Sequence, residues 1–501
     1  MKKKAILNFS ASIIYQFMNL LVGLVVPKFY TELFGSVYNG LNQSVTQIMS
    51  LLSVLQFGIA AAAIQQMFKY IAENDEDSIR AIYWGTGKEY RKMGYVFVGI
   101  ILPIIVVFPF MIKDNLSYWT VIAFLLFRTI SAAMEYFFQA KYGVILIANN
   151  KTYAVYIVNI IILLIGTALH LFVLFTIKNI IVYQFVSVLT TFIRFIIVNA
   201  YIRKHFPYLY KRNEKEVSLP KDTRRKDVLM SEIAGLVIDS TDMLLLSWFS
   251  GLVYTSIYSV YNFVVLGLAN VLNSCREAVF AGLGKSYFSD FDEFKKHFSN
   301  FESVYLFLAF FLYSTALMLF RPFIEVYTKN MDANYVYVSL PILFIFGKLL
   351  VNLRIPSIVS INTAGHFKEV RNYAIIEAII KFSLSIILVK PFGIFGVLIG
   401  TIAGAIYRTP ILIQYSNKNI IKRKGMEYWK KVIMWMPFFV AVCIISVVAP
   451  IKCTSLITWV ITAIPVAVVM LISCLLWIFL FERNTFNEML NIIKKMLKKG
   501  K

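Results

Sequence analysis

Apolar runs long enough to cross a lipid bilayer recur along almost the whole chain, and they constrain the fold more than any other feature. A transmembrane helix needs about 20 predominantly apolar residues, and few other backbone structures satisfy their own hydrogen bonds in lipid. The composition agrees with this reading, because 59% of the residues are hydrophobic and only 15% are charged. We therefore predict an all-α integral membrane protein.

The apolar runs predict about fourteen transmembrane helices. Their expected positions are near residues 6–27, 37–66, 94–112, 118–142, 152–174, 177–202, 229–249, 253–284, 301–320, 336–362, 370–392, 394–416, 432–450 and 455–481. Lys and Arg are retained on the cytoplasmic side of a membrane. With the N-terminus inside, seven of the 50 Lys and Arg residues fall in outer loops, at positions 28, 113, 178, 321, 329, 390 and 452. Both termini are then expected in the cytoplasm, and the net charge of +23 reflects topology rather than binding of nucleic acid.

A polar, basic segment divides the chain into two parts that can be superposed in sequence. One constant shift places Gly35 over Gly251, Val37 over Val253 and Tyr38 over Tyr254. An even number of spans in each part indicates a parallel repeat, related by a pseudo-two-fold axis along the membrane normal. We predict an N-terminal six-helix bundle at 1–202, a basic cytoplasmic linker at 203–228, a C-terminal six-helix bundle at 229–416, two additional helices at 417–481 and a basic amphipathic tail at 482–501.

Two turn motifs carry a family resemblance. The stretch "PKFYTELFGSVYNG" (27–40) is similar to the LG-x-x-x-YG turn between the first two spans of lipid-linked oligosaccharide flippases of the MOP exporter superfamily. "STDMLLLSWFSGLVYTSIYSVYN" (240–262) resembles the signature of the seventh and eighth spans in that family, with Asp242 in place of its acid. The first turn departs from the pattern, because Phe34 stands where Leu is usual and Asn39 is inserted before Gly40.

The resemblance implies a flippase rather than an enzyme. Its substrate would be an undecaprenyl-pyrophosphate-linked oligosaccharide repeat unit of O-antigen, capsule or exopolysaccharide. The repeat unit would move from the inner to the outer leaflet of the bacterial cytoplasmic membrane by alternating access. The first, second, seventh and eighth spans would line a cavity between the bundles. The implied partners are this lipid-linked sugar, membrane lipids and the polysaccharide polymerase and chain-length machinery, and no cofactor is expected beyond a coupling H⁺ or Na⁺.

Cations and amides within the spans are the candidates for binding substrate, since a charge at mid-membrane is costly and is usually retained for a reason. The planar fork of Arg suits phosphate oxygens. The candidates for pyrophosphate and sugar are Arg276, Arg128, Lys28, Lys348, Arg354, Asn39, Asn42 and Gln43. Two alternatives stay open, because Arg276 and Arg354 could snorkel to the interface and the amides could hydrogen-bond between helices.

The candidates for ion coupling are Asp239, Asp242, Glu135, Glu377 and Lys381. Residues three apart share a side of a helix, so ionised Asp239 and Asp242 would repel each other. One of them is therefore expected to be protonated, to bind a cation or to form a salt bridge to Arg276 or Arg128. Glu377 and Lys381 are spaced i, i+4 and could instead neutralise each other within one helix.

Other functions fit the sequence less well. The four Cys lack CxxC spacing and the four His form no cluster, so neither a disulfide framework nor a metal site is indicated. A drug/cation antiporter of the same superfamily would share the fold, but we expect acids to outnumber cations in the N-terminal bundle of an antiporter, and here the opposite holds. A membrane polymerase or glycosyltransferase usually needs a large loop or domain, whereas every connection here is under about 30 residues.

Overall fold

The chain is mostly helical in the residues that the computed structural model describes, which are 2–56, 58–211, 225–483 and 486. Within these ranges no residue lies in a β-strand, and twelve helices are long and apolar enough to cross a membrane. Two further long helices, Arg225–Phe249 and Phe367–Phe392, occupy the places of the seventh and eleventh predicted spans. Their charged residues lower their mean hydropathy. The prediction of an all-α, multi-pass membrane protein with about fourteen long helices is confirmed.

We number the long helices in chain order, and interrupted helices keep one number. They are α1 (Lys2–Phe34), α2 (Ser36–Ala72), α3 (Glu76–Met111), α4 (Tyr118–Ala148), α5 (Thr152–Ile177), α6 (Ile180–His205), α7 (Arg225–Phe249), α8 (Leu252–Ser289), α9 (Phe291–Tyr327), α10 (Ser339–Ala364), α11 (Phe367–Phe392), α12 (Ile394–Ile421), α13 (Met426–Val448) and α14 (Leu456–Phe481). Three of them contain a π-helical turn, at Glu135–Gln139, Val173–Ile177 and Ser416–Ile421.

Helices α3 and α9 begin well before the apolar runs that predicted them. The Asp75 carboxylate caps α3 by accepting a hydrogen bond from the Ser78 amide at 3.0 Å. Asp290 caps α9 by accepting from the amides of Asp292 and Glu293, at 3.0 Å each. Because an N-cap and early acidic residues stabilise a helix start outside lipid, these helices extend beyond the apolar segment.

The chain separates into two compact units, Met1–Ser256 and Ile257–Lys501. The first unit contains α1–α7 and the start of α8, and one of its cores joins Leu41 on α2, Phe97 on α3, Leu125 on α4 and Leu244 on α7. The second unit is rich in buried aromatic rings, such as Trp435 on α13. The bundle boundaries drawn from the sequence stay a prediction. Residues 212–224 of the linker, and 484, 485 and 487–501 of the tail, lie outside the described part of the chain.

The two glycines that superpose in sequence have the same local role. Gly35 has φ 89° and directly precedes α2, while Gly251 has φ 110° and directly precedes α8. Both values lie in the left-handed region that glycine adopts without steric cost. Each turn therefore uses a glycine with positive φ as the residue before the next helix.

Candidate functional site

The two motifs that carry the family resemblance pack against each other in the first unit. The side-chain amide of Asn39 on α2 donates to Ser256 Oγ on α8 at 2.7 Å, and Asn39 is 2% exposed. Gly40, the next residue, packs on the backbone of Leu252. Asn39 thus forms the interhelical hydrogen bond that was one of its two interpretations, and in this conformation its amide faces α8.

The loop before α4 holds the turn between α7 and α8, which sequence reasoning did not identify. Lys113 Nζ donates to the carbonyl oxygen of Phe249 at 2.5 Å. The Asp114 carboxylate accepts from the Leu252 amide at 2.7 Å and so caps the N-terminus of α8. Only the contact across the fold reveals this role, because both residues lie in a short polar loop far away in sequence.

Arg128 on α4 is the central candidate in the first unit. Its Nη2 atom donates to Asn42 Oδ1 on α2 at 2.6 Å, which joins two residues predicted to bind substrate. Tyr30, Tyr183 and His170 lie within electrostatic range of the guanidinium group. Among the described residues Arg128 forms no ion pair, and its buried Nε atom has no hydrogen-bond partner.

This arrangement suits an anion that also carries hydroxyl groups. An arginine that keeps its charge inside an apolar bundle is costly unless something compensates it. Asn42 supplies an amide oxygen but no negative charge, and Gln43, one residue along α2, is half-buried. Guanidinium nitrogens and amides of this kind are common ligands of phosphate and sugar oxygens.

Glu135, a candidate for ion coupling, forms an ion pair with another helix. Its Oε2 atom pairs with Arg194 Nη1 on α6 at 3.0 Å. Both side chains of this pair are about a third exposed, at 33% for Glu135 and 31% for Arg194. Glu135 therefore leaves the charge of Arg128 uncompensated.

Asp239 and Asp242 on α7 have unlike surroundings. Asp239 is exposed, whereas Asp242 is buried with 3% of its surface accessible. Next to Asp242, the Met243 sulfur accepts a hydrogen bond from Gln47 of α2 at 3.4 Å, so this face of α7 packs on α2. The two carboxylates do not form one exposed pair.

In the second unit, Glu377 on α11 is a buried bridge between two arginines. Its Oε1 atom accepts from Arg354 Nη1 and its Oε2 atom from Arg408 Nη1, each at 2.7 Å. Glu377 is 2% exposed, and Lys381, one turn along the helix, is 3% exposed. Arg354 is 5% exposed, so it forms a buried ion pair and does not snorkel.

The remaining cationic candidates differ in how far a nearby carboxylate neutralises their positive charge. Lys28 pairs with Glu32 along α1 at 3.6 Å. Arg276 on α8 is a third exposed and has only Glu277, at 4.0 Å, as an acidic neighbour among the residues described. Lys348 on α10 is half-buried and forms no ion pair with any residue in the described ranges. Arg276 and Lys348 are thus the least compensated of the candidates in the second unit.

Another buried carboxylate in the second unit was missed by the sequence analysis. Glu302 on α9 is 1% exposed, and its carboxylate accepts from Arg423 and, at 3.2 Å, from Lys431. It lies at the edge of the predicted 301–320 span, where the pattern of apolar residues gives no sign that a carboxylate is buried. No cluster of His, Cys, Asp or Glu that could hold a metal ion occurs in the part of the chain described.

The helices form the fold shared by MATE transporters and the flippase MurJ. A multidrug resistance MATE family transporter of the MOP superfamily, in an inward-facing conformation, matches with a TM-score of 0.64 and 12% identity, over 85% of this chain and 99% of that chain. Lipid II flippase MurJ, in an inward closed conformation, matches with a TM-score of 0.64 and 15% identity, over 94% of this chain and 98% of that chain.

The MATE multidrug transporter DinF-BH matches with a TM-score of 0.59 and 13% identity, over 84% of this chain and 96% of that chain. No protein-family model matches the sequence. No curated protein matches it either. At these identities the structural likeness shows the fold, which agrees with the superfamily indicated by the two turn motifs.

Proposed function

We propose that this protein is a flippase that moves an undecaprenyl-pyrophosphate-linked oligosaccharide across the bacterial cytoplasmic membrane by alternating access. The observation that carries the proposal is Arg128, a guanidinium group that has Asn42 beside it and no acidic partner in the described part of the chain. The substrate head supplies two phosphates for the cation and many hydroxyls for the amides. Both termini would lie in the cytoplasm, and no bond of the substrate would be made or broken.

The charge balance of the candidate residues supports an anionic substrate. Glu135 is paired with Arg194, and Glu377 is paired with Arg354 and Arg408. Arg128, Lys348 and Arg276 remain largely uncompensated by the residues that the structure describes. Since a charge inside a membrane protein is expensive, an uncompensated cation such as Arg128 is best explained by an anion that binds it.

Carboxylates on α7 would couple transport to an ion gradient. The exposed carboxylate of Asp239 is open to H⁺ or Na⁺, and Asp242, one turn along α7, is buried. An ion that binds one conformation more tightly than the other shifts the equilibrium between the two. We propose Asp239 and Asp242 as the coupling residues, with the polysaccharide polymerase and chain-length machinery as downstream partners.

A MATE-type antiporter for organic cations is the second candidate, and Asp239 is the observation in its favour. An exposed carboxylate within an apolar helix is a suitable counter-ion for a cationic solute. The structural likeness to multidrug transporters is consistent with either function. Arg128 disfavours the antiporter, because its positive charge would repel an organic cation in the first unit.

Reconstitution of the full-length protein in proteoliposomes distinguishes the two candidates. A fluorescent undecaprenyl-pyrophosphate oligosaccharide is placed in both leaflets, and its movement is followed by the fraction that membrane-impermeant periodate can oxidise. Uptake of a cationic dye is measured in parallel with the same vesicles. Protein-dependent movement of the lipid without movement of the dye supports the flippase. Dye movement without lipid movement would support the antiporter.

A further inference from the structure

A pocket inside the first unit is not used by the proposed transport mechanism. It lies among α4, α5 and α6 and has a cavity volume of about 70 Å³. Its wall on α4 includes the π-helical turn Glu135–Gln139. π-Helical turns occur often at functional sites.

One end of the pocket is polar and has unused hydrogen-bonding capacity. The ion pair of Glu135 and Arg194 uses one carboxylate oxygen and one guanidinium nitrogen, at 3.0 Å, and the buried Arg194 Nε atom has no partner. Gln139 is 4% exposed; its amide nitrogen donates to the Thr191 carbonyl at 2.9 Å, while its buried Oε1 atom accepts no hydrogen bond. Buried polar groups are rarely left unsatisfied, so these atoms point to a polar ligand.

The other walls and the surroundings are apolar. Leu146, Val155, Val158 and Val198 line the pocket. On the outer surfaces of α4 and α6, beside Gln139 and Arg194, three large side chains are about half exposed: Phe138 at 50%, Phe192 at 48% and Ile196 at 49%. Exposed apolar residues on transmembrane helices face hydrocarbon, so a ligand reaching this partly exposed ion pair needs an apolar part as well as a polar head.

We propose that this pocket binds the zwitterionic head group of a membrane phospholipid, in which an ammonium group and a phosphate are joined. The phosphate would take the unused donors of Arg194, and the ammonium group would take Glu135 and the Gln139 carbonyl. A purely anionic head would be repelled by Glu135, and a purely cationic head by Arg194. This assignment is the same whichever solute the protein transports, so it does not rest on the proposed function.

Gly143 provides a way to close the pocket without removing its charges. It lines the pocket, and a Cβ atom placed on it would have no atom within 4 Å. A leucine there would enter the space meant for the head group, and replacing a helical glycine costs the helix nothing. Gly143→Leu therefore tests whether the head group occupies the pocket, while Glu135→Gln tests whether Glu135 recognises the ammonium group.

The experiment is native mass spectrometry of the purified full-length protein titrated with phosphatidylethanolamine or phosphatidylglycerol of identical acyl chains. The wild type should bind phosphatidylethanolamine roughly tenfold more tightly, the difference expected for one charge-assisted hydrogen bond. Gly143→Leu should weaken that binding roughly tenfold or more at an unchanged melting temperature. Glu135→Gln should bring the two lipids to similar affinity, and Glu89→Gln, at an exposed ion pair on α3, should behave as wild type.

Three results would overturn the assignment. The first is equal binding of the two lipids by the wild type, and the second is wild-type binding by a Gly143→Leu protein that melts normally. The third is displacement of the lipid by millimolar glycerophosphoethanolamine, which carries the same head without acyl chains and would identify a site for soluble zwitterions. If Gly143→Leu fails to fold, the loss of lipid preference in Glu135→Gln still decides the question.

Discussion

Gly40 lies directly against the backbone of Leu252, and a Cβ atom at Gly40 would stand 1.9 Å from the Leu252 carbonyl oxygen. This contact joins α2 to the start of α8, and no side-chain rotation can relieve it because its partner is backbone. Gly40→Val should therefore lower the free energy of unfolding by at least about 1–3 kcal/mol, the usual cost of overpacking.

The melting temperature in detergent measures this effect. Gly99→Ala on α3 is the matched control, since a Cβ atom there would meet nothing within 4 Å. Alanine is a better helix former than glycine by up to about 1 kcal/mol, so the control should melt at or above the wild-type temperature. A Gly40→Val protein that melts like the wild type would contradict the close packing of the two motifs.

Glu377→Gln should be strongly destabilising, because it leaves Arg354 and Arg408 without their shared carboxylate. Removing one partner from a buried ion pair costs about 3–5 kcal/mol. Replacing all three residues with apolar side chains of similar size should recover most of the loss, because neither buried arginine is then left without its carboxylate. Thermal melting of the single and triple variants checks both expectations.

The control for this prediction is the exposed pair of Glu89 and Lys92 on α3, at 2.7 Å. Exposed pairs contribute about 1 kcal/mol or less, so Glu89→Gln should change the melting temperature little. If the Glu377→Gln protein melts at the wild-type temperature, the bridge does not stabilise the fold. Glu377 would then again be a candidate for ion coupling.

Asp239→Asn and Asp242→Asn should each abolish the response of transport to an ion gradient. Asparagine keeps the size of the side chain but fixes it as neutral, so neither H⁺ nor Na⁺ would distinguish the two conformations. Substrate binding should persist in both variants. Since Asp239 is exposed, Asp239→Asn should melt at the wild-type temperature.

Initial rates of lipid movement in proteoliposomes, with and without a proton or sodium gradient, provide the measurement. Asp292→Asn is the control, because this carboxylate at the start of α9 is 92% exposed and distant in sequence from α7. If both α7 variants still responded to the gradient as the wild type does, these carboxylates would not be the coupling site.

Much of the fold could be predicted from the sequence because its causes are local. The apolar runs indicated fourteen long helices, and Gly35 and Gly251 marked two tight turns that both have positive φ. Helix starts were less predictable. The caps Asp75 and Asp290 lengthen α3 and α9 beyond their apolar runs, and counting apolar residues gives no weight to a cap.

The partners of charged side chains were the part that sequence could not predict. Arg128 contacts Asn42 on another helix, and no spacing within α4 indicates that partner. Glu377 has Lys381 one turn along its helix, yet it bridges Arg354 and Arg408. These pairs depend on which helices pack together, and neither spacing nor composition determines that packing. The roles of these residues in binding or coupling stay predictions.

The most direct test of the account is the rate of lipid movement when Arg128 is replaced. If its guanidinium group binds pyrophosphate, Arg128→Ala should slow movement of the undecaprenyl-pyrophosphate oligosaccharide at least about 100-fold, as expected from losing two charge-assisted hydrogen bonds. Arg128→Lys keeps the charge without the fork and should be intermediate. The exposed Lys204→Ala on α6 should behave as wild type. Wild-type rates from an Arg128→Ala protein that melts normally would contradict the central claim.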